Sequence, residues 1–153
     1  MDKIRLELGF SHCFSVGNIG RSGGLAILWN EEVQIQLLLY SQSHIDMEIH
    51  DLTDLCWHLT GFYGQPDVGR HHESWALLKL LKSSSTLPWV SLGDFNEIVK
   101  QSEKMDGNPI FEHQIKSFCE AIEYCGFLEL GFKGPRFTFV RKQQDSILLE
   151  WLD

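Results

Sequence analysis

The spacing of hydrophobic and polar residues changes period several times along the chain, and each change predicts an element. Val33, Ile35, Leu37 and Leu39 alternate with Gln34, Gln36 and Leu38 in the two-residue repeat of a strand. The stretch from His44 to His50 alternates as well, with Ile45, Met47 and Ile49 expected to face inward and His44, Asp46, Glu48 and His50 sharing a wet face. Leu25 to Trp29 and Trp89 to Leu92 are short apolar runs that fit buried strands, and Cys13 to Val16 could be another. Leu52-Thr53-Asp54-Leu55 reads as a hairpin turn into a strand from Cys56 to Tyr63, which Tyr63-Gly64-Gln65-Pro66 ends.

Two segments switch to helical spacing. From Glu73 to Lys82, Trp75, Leu78 and Leu81/Lys82 follow the 3.6-residue period, Leu77 and Leu80 widen the apolar face, and Ser83-Ser84-Ser85 ends it. The resulting strand–helix–strand order implies a crossover connection. Asn108-Pro109 predicts a second helix start, since Asn caps and Pro tolerates the first helical position. Phe111, Ile115, Phe118, Ile122 and Cys125 then form one stripe, closed by Gly126 as a left-handed cap. Glu97 to Gly107 is expected to be irregular and Phe127 to Leu130 a short strand. A loop from Gly131 to Arg136, a strand from Phe137 to Val140 and the start of another at Ile147 to Asp153 complete the reading. The class is α/β, in a single domain spanning residues 1–153, long enough for one core.

Candidate chemistry concentrates at the end of the Trp89–Leu92 run. Gly93 breaks the run, and Asp94 and Asn96 follow two positions apart, on one side of an extended segment, with Phe95 pointing into packing. Fixed polar groups at a strand end are where α/β folds hold catalytic residues; a turn closed by an Asx bond is the plain alternative. Gly17 to Gly24 invites comparison with a phosphate-cradling loop but lacks the Gly-Lys-Ser/Thr ending, and a flexible connection explains it as well. His44, Asp46, Glu48 and His50 are metal-ligand types, though a wet strand face accounts for them without a metal.

Composition narrows the partners. With 13 basic and 21 acidic residues the net charge is −8, which argues against a general phosphate-binding surface. Lys133, Arg136, Arg141 and Lys142 are the exception: four cations with no acid between 132 and 144, interleaved with Phe137 and Phe139. They suit a nucleic-acid contact or a solvated hairpin. No apolar run approaches the roughly 18 residues of a membrane span, so no membrane partner is expected. Cys13, Cys56, Cys119 and Cys125 form no C-x-x-C pair and fall in apolar segments, which favours reduced thiols and an intracellular compartment.

Gly93-Asp94-Phe95-Asn96-Glu97-Ile98 resembles the G-D-F-N motif of the endonuclease/exonuclease/phosphatase superfamily, the DNase I-like fold. The match is nearest to endonuclease domains of LINE-type (non-LTR) retrotransposons abundant in plants. Further blocks follow in the same order: Gly20 to Ala26, Thr60 to Gly64, Glu73-Ser74-Trp75, Pro88-Trp89, Glu103-Lys104, Phe137-Thr138 and Leu152-Asp153. The resemblance implies a two-sheet sandwich flanked by helices, a hydrolase that cuts DNA phosphodiesters with magnesium or manganese, and a nuclear location. Carried over by position, Asp94 would activate the water or hold the metal weakly, Asn96 and Tyr63 would contact the phosphate, and Asp153 would orient a histidine. Lys133, Arg136, Phe137, Thr138 and Arg141 would meet nucleic acid.

The resemblance also has departures. The family's first-strand asparagine and main metal-binding glutamate would precede Met1, and its Ser-Asp-His block would follow Asp153. Trp151 stands where relatives carry arginine, and Phe139 where many carry tryptophan. The expectation is therefore a partial DNase I-like domain, inactive alone, with a partner chain or segment supplying the absent strands. A non-catalytic relic or interaction module is the alternative.

Overall fold

The computed structural model describes residues 1–17, 24–53, 55–105, 109–131, 133, 139–143 and 146–150. The chain forms two compact units, one of Met1–Tyr63 with Ser85–Gly93 and one of Gly64–Ser84 with Asp94–Asp153. The fold is a mixture of helices and sheets, as the alternation of periods predicts.

The first unit opens with a short helix, α1 (Asp2–Glu7), and an antiparallel pair, β1 (His12–Val16) and β2 (Leu25–Trp29). Its main sheet contains β3 (Gln34–Tyr40), β4 (His44–His50), β5 (Cys56–Tyr63) and β6 (Trp89–Asp94), in that order across the sheet. β3, β4 and β5 pair antiparallel. β6 joins β5 through His58 N–H to Pro88 O (2.8 Å) and Gly64 N–H to Asp94 O (2.7 Å), bonds of equal sequence offset and hence a parallel pair. That is the crossover the strand–helix–strand pattern requires. The core lies where expected: Ile45, Met47 and Ile49 are buried against Phe14, Ile27, Trp57 and Leu59.

The opposite face of β4 corrects the sequence reading. Asp46 is 0 % exposed and His44 is buried as well, so only Glu48 and His50 keep the solvent access expected of the whole face. Asp46 Oδ1 accepts from Thr60 Oγ1 and meets His58 Nε2, each at 2.6 Å. The Trp89 ring stacks on His58, and Trp89 Nε1–H donates to Thr60 Oγ1. Polar residues that bond one another across neighbouring strands tolerate burial, so alternation alone cannot tell a solvated face from a buried, cross-bonded one. β3 departs too: its register shifts between Leu37 and Leu39, and both are exposed. β6 is the edge of its sheet among the described residues, and Leu92 is 57 % exposed, which overturns the expectation of a fully buried strand.

In the second unit, α2 (His71–Ser84) follows one 3₁₀ turn, Val68–Arg70, whose leading Asp67 side chain accepts from Gly69 N–H. His71, Ser74, Leu78 and Leu81 are buried, whereas Leu80 faces solvent and does not widen the apolar face. α3 spans Glu112–Cys125 and buries Phe118, Ala121 and Cys125, with Ile115 and Ile122 half-buried. Its start is later than predicted. Pro109 lies outside it, and Phe111, exposed with extended ψ of 133°, holds the N-cap position without a side-chain cap bond. Gly126 ends the helix with φ of 71°, its N–H bonded to Glu123 O, the left-handed cap expected of it.

β7 (Lys104–Met105), β8 (Phe139–Gln143) and β9 (Ser146–Glu150) make an antiparallel sheet in the order β7-β9-β8. Residues 127–130 are not a strand: Leu128 and Leu130 are 86 % and 85 % exposed, without ladder partners among the described residues. Among the described residues no helix is long and apolar enough to cross a membrane.

Candidate functional site

The Gly93–Asn96 segment is a locked turn rather than an extended run. Asp94 closes β6. Its Oδ1 accepts from Asn96 N–H at 2.9 Å, the Asx bond of the plain alternative. Asn96 takes φ of 55°, a left-handed conformation that turns its side chain away from the line of Asp94. Its Nδ2 then donates to Gly64 O at 2.9 Å, while Gly64 N–H donates to Asp94 O at 2.7 Å. The backbones approach so closely that a Cβ on Gly64 would sit 1.9 Å from Phe95 O, and one on Gly93 would sit 1.8 Å from Phe62 O. Phe95 turns into packing against Phe118, ring centroids 6.0 Å apart, as its alternation predicts.

The structure thus brings Asp94 and Asn96 into one hydrogen-bonded turn. Tyr63 closes β5 and is half-buried, its N–H bonded to Ser43 O. Lys133 is exposed, and Arg141 lies on β8. Arg136, Phe137, Thr138 and Asp153 lie outside the described residues, as do residues 18–23 of the glycine-rich loop.

Sequence reasoning passed over Glu97. It is 4 % exposed, its Oε1 accepts from Trp75 Nε1–H at 2.9 Å, and the buried His71 ring places Nδ1 2.8 Å from the same oxygen without hydrogen-bond alignment. Burial pushes the Glu97 carboxyl up to about 7, with the Trp75 bond opposing. His71 moves down, again chiefly by burial, against the pull of Asp67. Both shifts favour the uncharged forms of the two groups. Glu103, also buried, accepts from Val99 and Lys100 N–H and ties the mixed-charge segment down. A Glu in a segment with both signs of charge reads as solvated; only the Trp75 indole, on another element, reveals otherwise.

Magnesium prefers oxygen donors, and the Gly93–Asn96 turn presents one carboxylate, that of Asp94, because Glu97 is directed to Trp75 and His71. Among the described residues this donor set does not amount to a magnesium site. Metal-ligating side chains do gather elsewhere. Of the β4 row, His44 and Asp46 are absorbed into buried polar contacts, while Glu48 and His50 join Cys56 of β5. Their donor atoms all lie within 4.8 Å of one another and could hold a metal ion. All four cysteines are free thiols.

No protein-family model matches this chain, and no curated protein matches it significantly.

Proposed function

We propose that this chain is a segment of a DNase I-like phosphodiesterase domain, of the kind LINE-type retrotransposons carry, that it meets DNA, and that alone it does not cleave it. The observation that carries the reading is the locked turn from Gly93 to Asn96. A left-handed asparagine and two glycines without room for a Cβ are local costs that a plain strand end does not need. The ordered sequence blocks around it supply the reaction class.

In this reading the Asp94 carboxylate orients or deprotonates the attacking water. Asn96 keeps one Nδ2 hydrogen after its bond to Gly64 and offers it to a phosphate oxygen. Tyr63 contacts the phosphate and Asp153 orients a histidine. A divalent cation of the magnesium or manganese kind would supply charge stabilisation on the phosphoryl oxygens. One carboxylate holds such an ion weakly. A charge-stabilising ion so weakly held costs about 10²–10³ in rate, so little cleavage by this chain is expected.

Two measurements test this. Purified chain with millimolar Mg²⁺ or Mn²⁺ is expected to leave supercoiled plasmid intact, as Asp94→Ala does; metal-dependent nicking lost in that variant would overturn the claim of inactivity. Amide NMR shifts of residues 93–97 are expected to respond to a dinucleotide with Mg²⁺, and a silent turn would sink the phosphodiesterase reading itself. The interaction-module alternative draws on the exposed Leu128 and Leu130 and predicts self-association or capture through them.

A further inference from the structure

We propose that Glu48, His50 and Cys56 form a zinc site at the β4–β5 hairpin, separate from the Gly93–Asn96 turn and independent of the phosphodiesterase reading. The antiparallel register sets His50 directly opposite Cys56, and Glu48 lies two residues before His50 on the same face of β4. The hairpin between them is braced: Asp51 Oδ1 accepts from Thr53 N–H, Thr53 Oγ1–H and Leu55 N–H. Both strands are also held in the sheet, β4 between β3 and β5 and β5 between β4 and β6, so the donors sit on rigid supports.

The distances suit the ion. Glu48 Oε1 lies 2.9 Å from His50 Nε2 and 3.1 Å from Cys56 Sγ, and His50 Nε2 lies 3.8 Å from Cys56 Sγ. Tetrahedral zinc, with bonds of about 2.0–2.3 Å, needs donors about 3.3–3.6 Å apart. The three separations straddle that range, and small side-chain rotations open a central position. A thiolate, an imidazole and one carboxylate are zinc ligands by type, whereas magnesium and manganese favour oxygen. Three protein donors leave a fourth position for water. Without metal, Cys56 donates its S–H to Glu48, and the thiol is pushed up first by lost hydration and then by the facing carboxylate. Zinc binding therefore releases that proton to solvent as the S–Zn bond forms.

The place in the fold separates this site from the other. Cys56 begins β5 and Tyr63 ends it, so the two lie roughly 23 Å apart along the strand. An ion here would pin the turn end of the hairpin, where the chain passes from β4 to β5.

The test is titration of the purified, reduced chain with Co²⁺ and Zn²⁺. One equivalent of Co²⁺ is expected to give tetrahedral d–d bands with a thiolate charge-transfer band, bleached by one equivalent of Zn²⁺. His50→Gln and Cys56→Ser should each weaken Zn²⁺ binding more than roughly tenfold, and Cys13→Ser should not. In the unmodified chain, Zn²⁺ should protect Cys56 from alkylation while Cys13 stays reactive, a readout that depends on no variant. A charge-transfer band that survives Cys56→Ser, absence of the band from the parent chain, or alkylation of Cys56 at the same rate with and without Zn²⁺ would each overturn the site.

Discussion

Glu97 ties the stability of the chain to pH. Its carboxyl stands near 7 in the folded chain against an ordinary 4.5, because burial penalises the charged form. The folded state therefore holds this proton more tightly than the unfolded state. The stability it contributes is complete below pH 4.5 and is lost as the pH rises through about 7. At about 1.4 kcal/mol per pH unit, the whole effect is roughly 3 kcal/mol. His71 slopes the other way: its lowered value means that stability falls as pH drops below 6.5. His71 and His44 titrate in both chains, so between pH 6.5 and 8 the difference isolates Glu97: the parent should lose roughly 1 kcal/mol relative to Glu97→Gln, which keeps an acceptor for Trp75. Urea unfolding of both chains across that range checks it; parallel curves would mean Glu97 is solvated and ionised throughout. This residue was not legible in the sequence for the same reason Asp46 was misread. Both look like surface acids locally, and both are buried by partners distant in sequence: Trp75 and His71 for one, His58 and Thr60 for the other.

At the scale of elements, period was the dependable signal. β2, β4 and β5 begin and end where the apolar runs and alternation place them, and the Gly126 cap closes α3 as its position demands. Failures cluster where a non-local neighbour decides. Leu92 is exposed because nothing among the described residues covers it, which no spacing encodes, and α3 starts late although Pro109 offers a favourable first position. The Gly93–Asn96 turn was half legible. Its glycine and Asx bond follow from residue type, but the need for glycine at position 64 comes from the neighbouring strand end. That need is testable. Gly64→Ala puts a methyl group 1.9 Å from Phe95 O, a backbone atom that cannot rotate aside, and should cost about 3 kcal/mol or more. Gly126→Ala meets nothing within 4 Å and should cost only about 1 kcal/mol, the penalty of left-handed φ. Chemical unfolding ranks the pair, and equal costs would show that the close approach at Gly64 relaxes freely.

For the molecule as a whole, charge bounds what DNA binding can look like. A net charge of −8 repels a polyanion, so attachment depends on the local group Lys133, Arg136, Arg141 and Lys142. Each phosphate neutralised on duplex DNA adds about −0.9 to the slope of log affinity against log salt. Four contacts therefore limit the slope to about −3.6, and raising salt from 50 to 200 mM should weaken binding on the order of 10²-fold. A chain using a broad basic surface would show a far steeper dependence. Fluorescence anisotropy with a labelled duplex at low salt measures the slope directly. Arg136→Glu combined with Arg141→Glu should abolish binding. Lys116→Glu, on an exposed α3 side chain beside Glu120, should leave it unchanged. The patch is an expectation from sequence, a run of cations without an acid, and the charge reversals are what test it. Binding that persists in the double variant would place the contact elsewhere. No binding to duplex DNA even at 50 mM salt would remove DNA as the partner and leave the Gly93–Asn96 turn as a structural feature of the strand end.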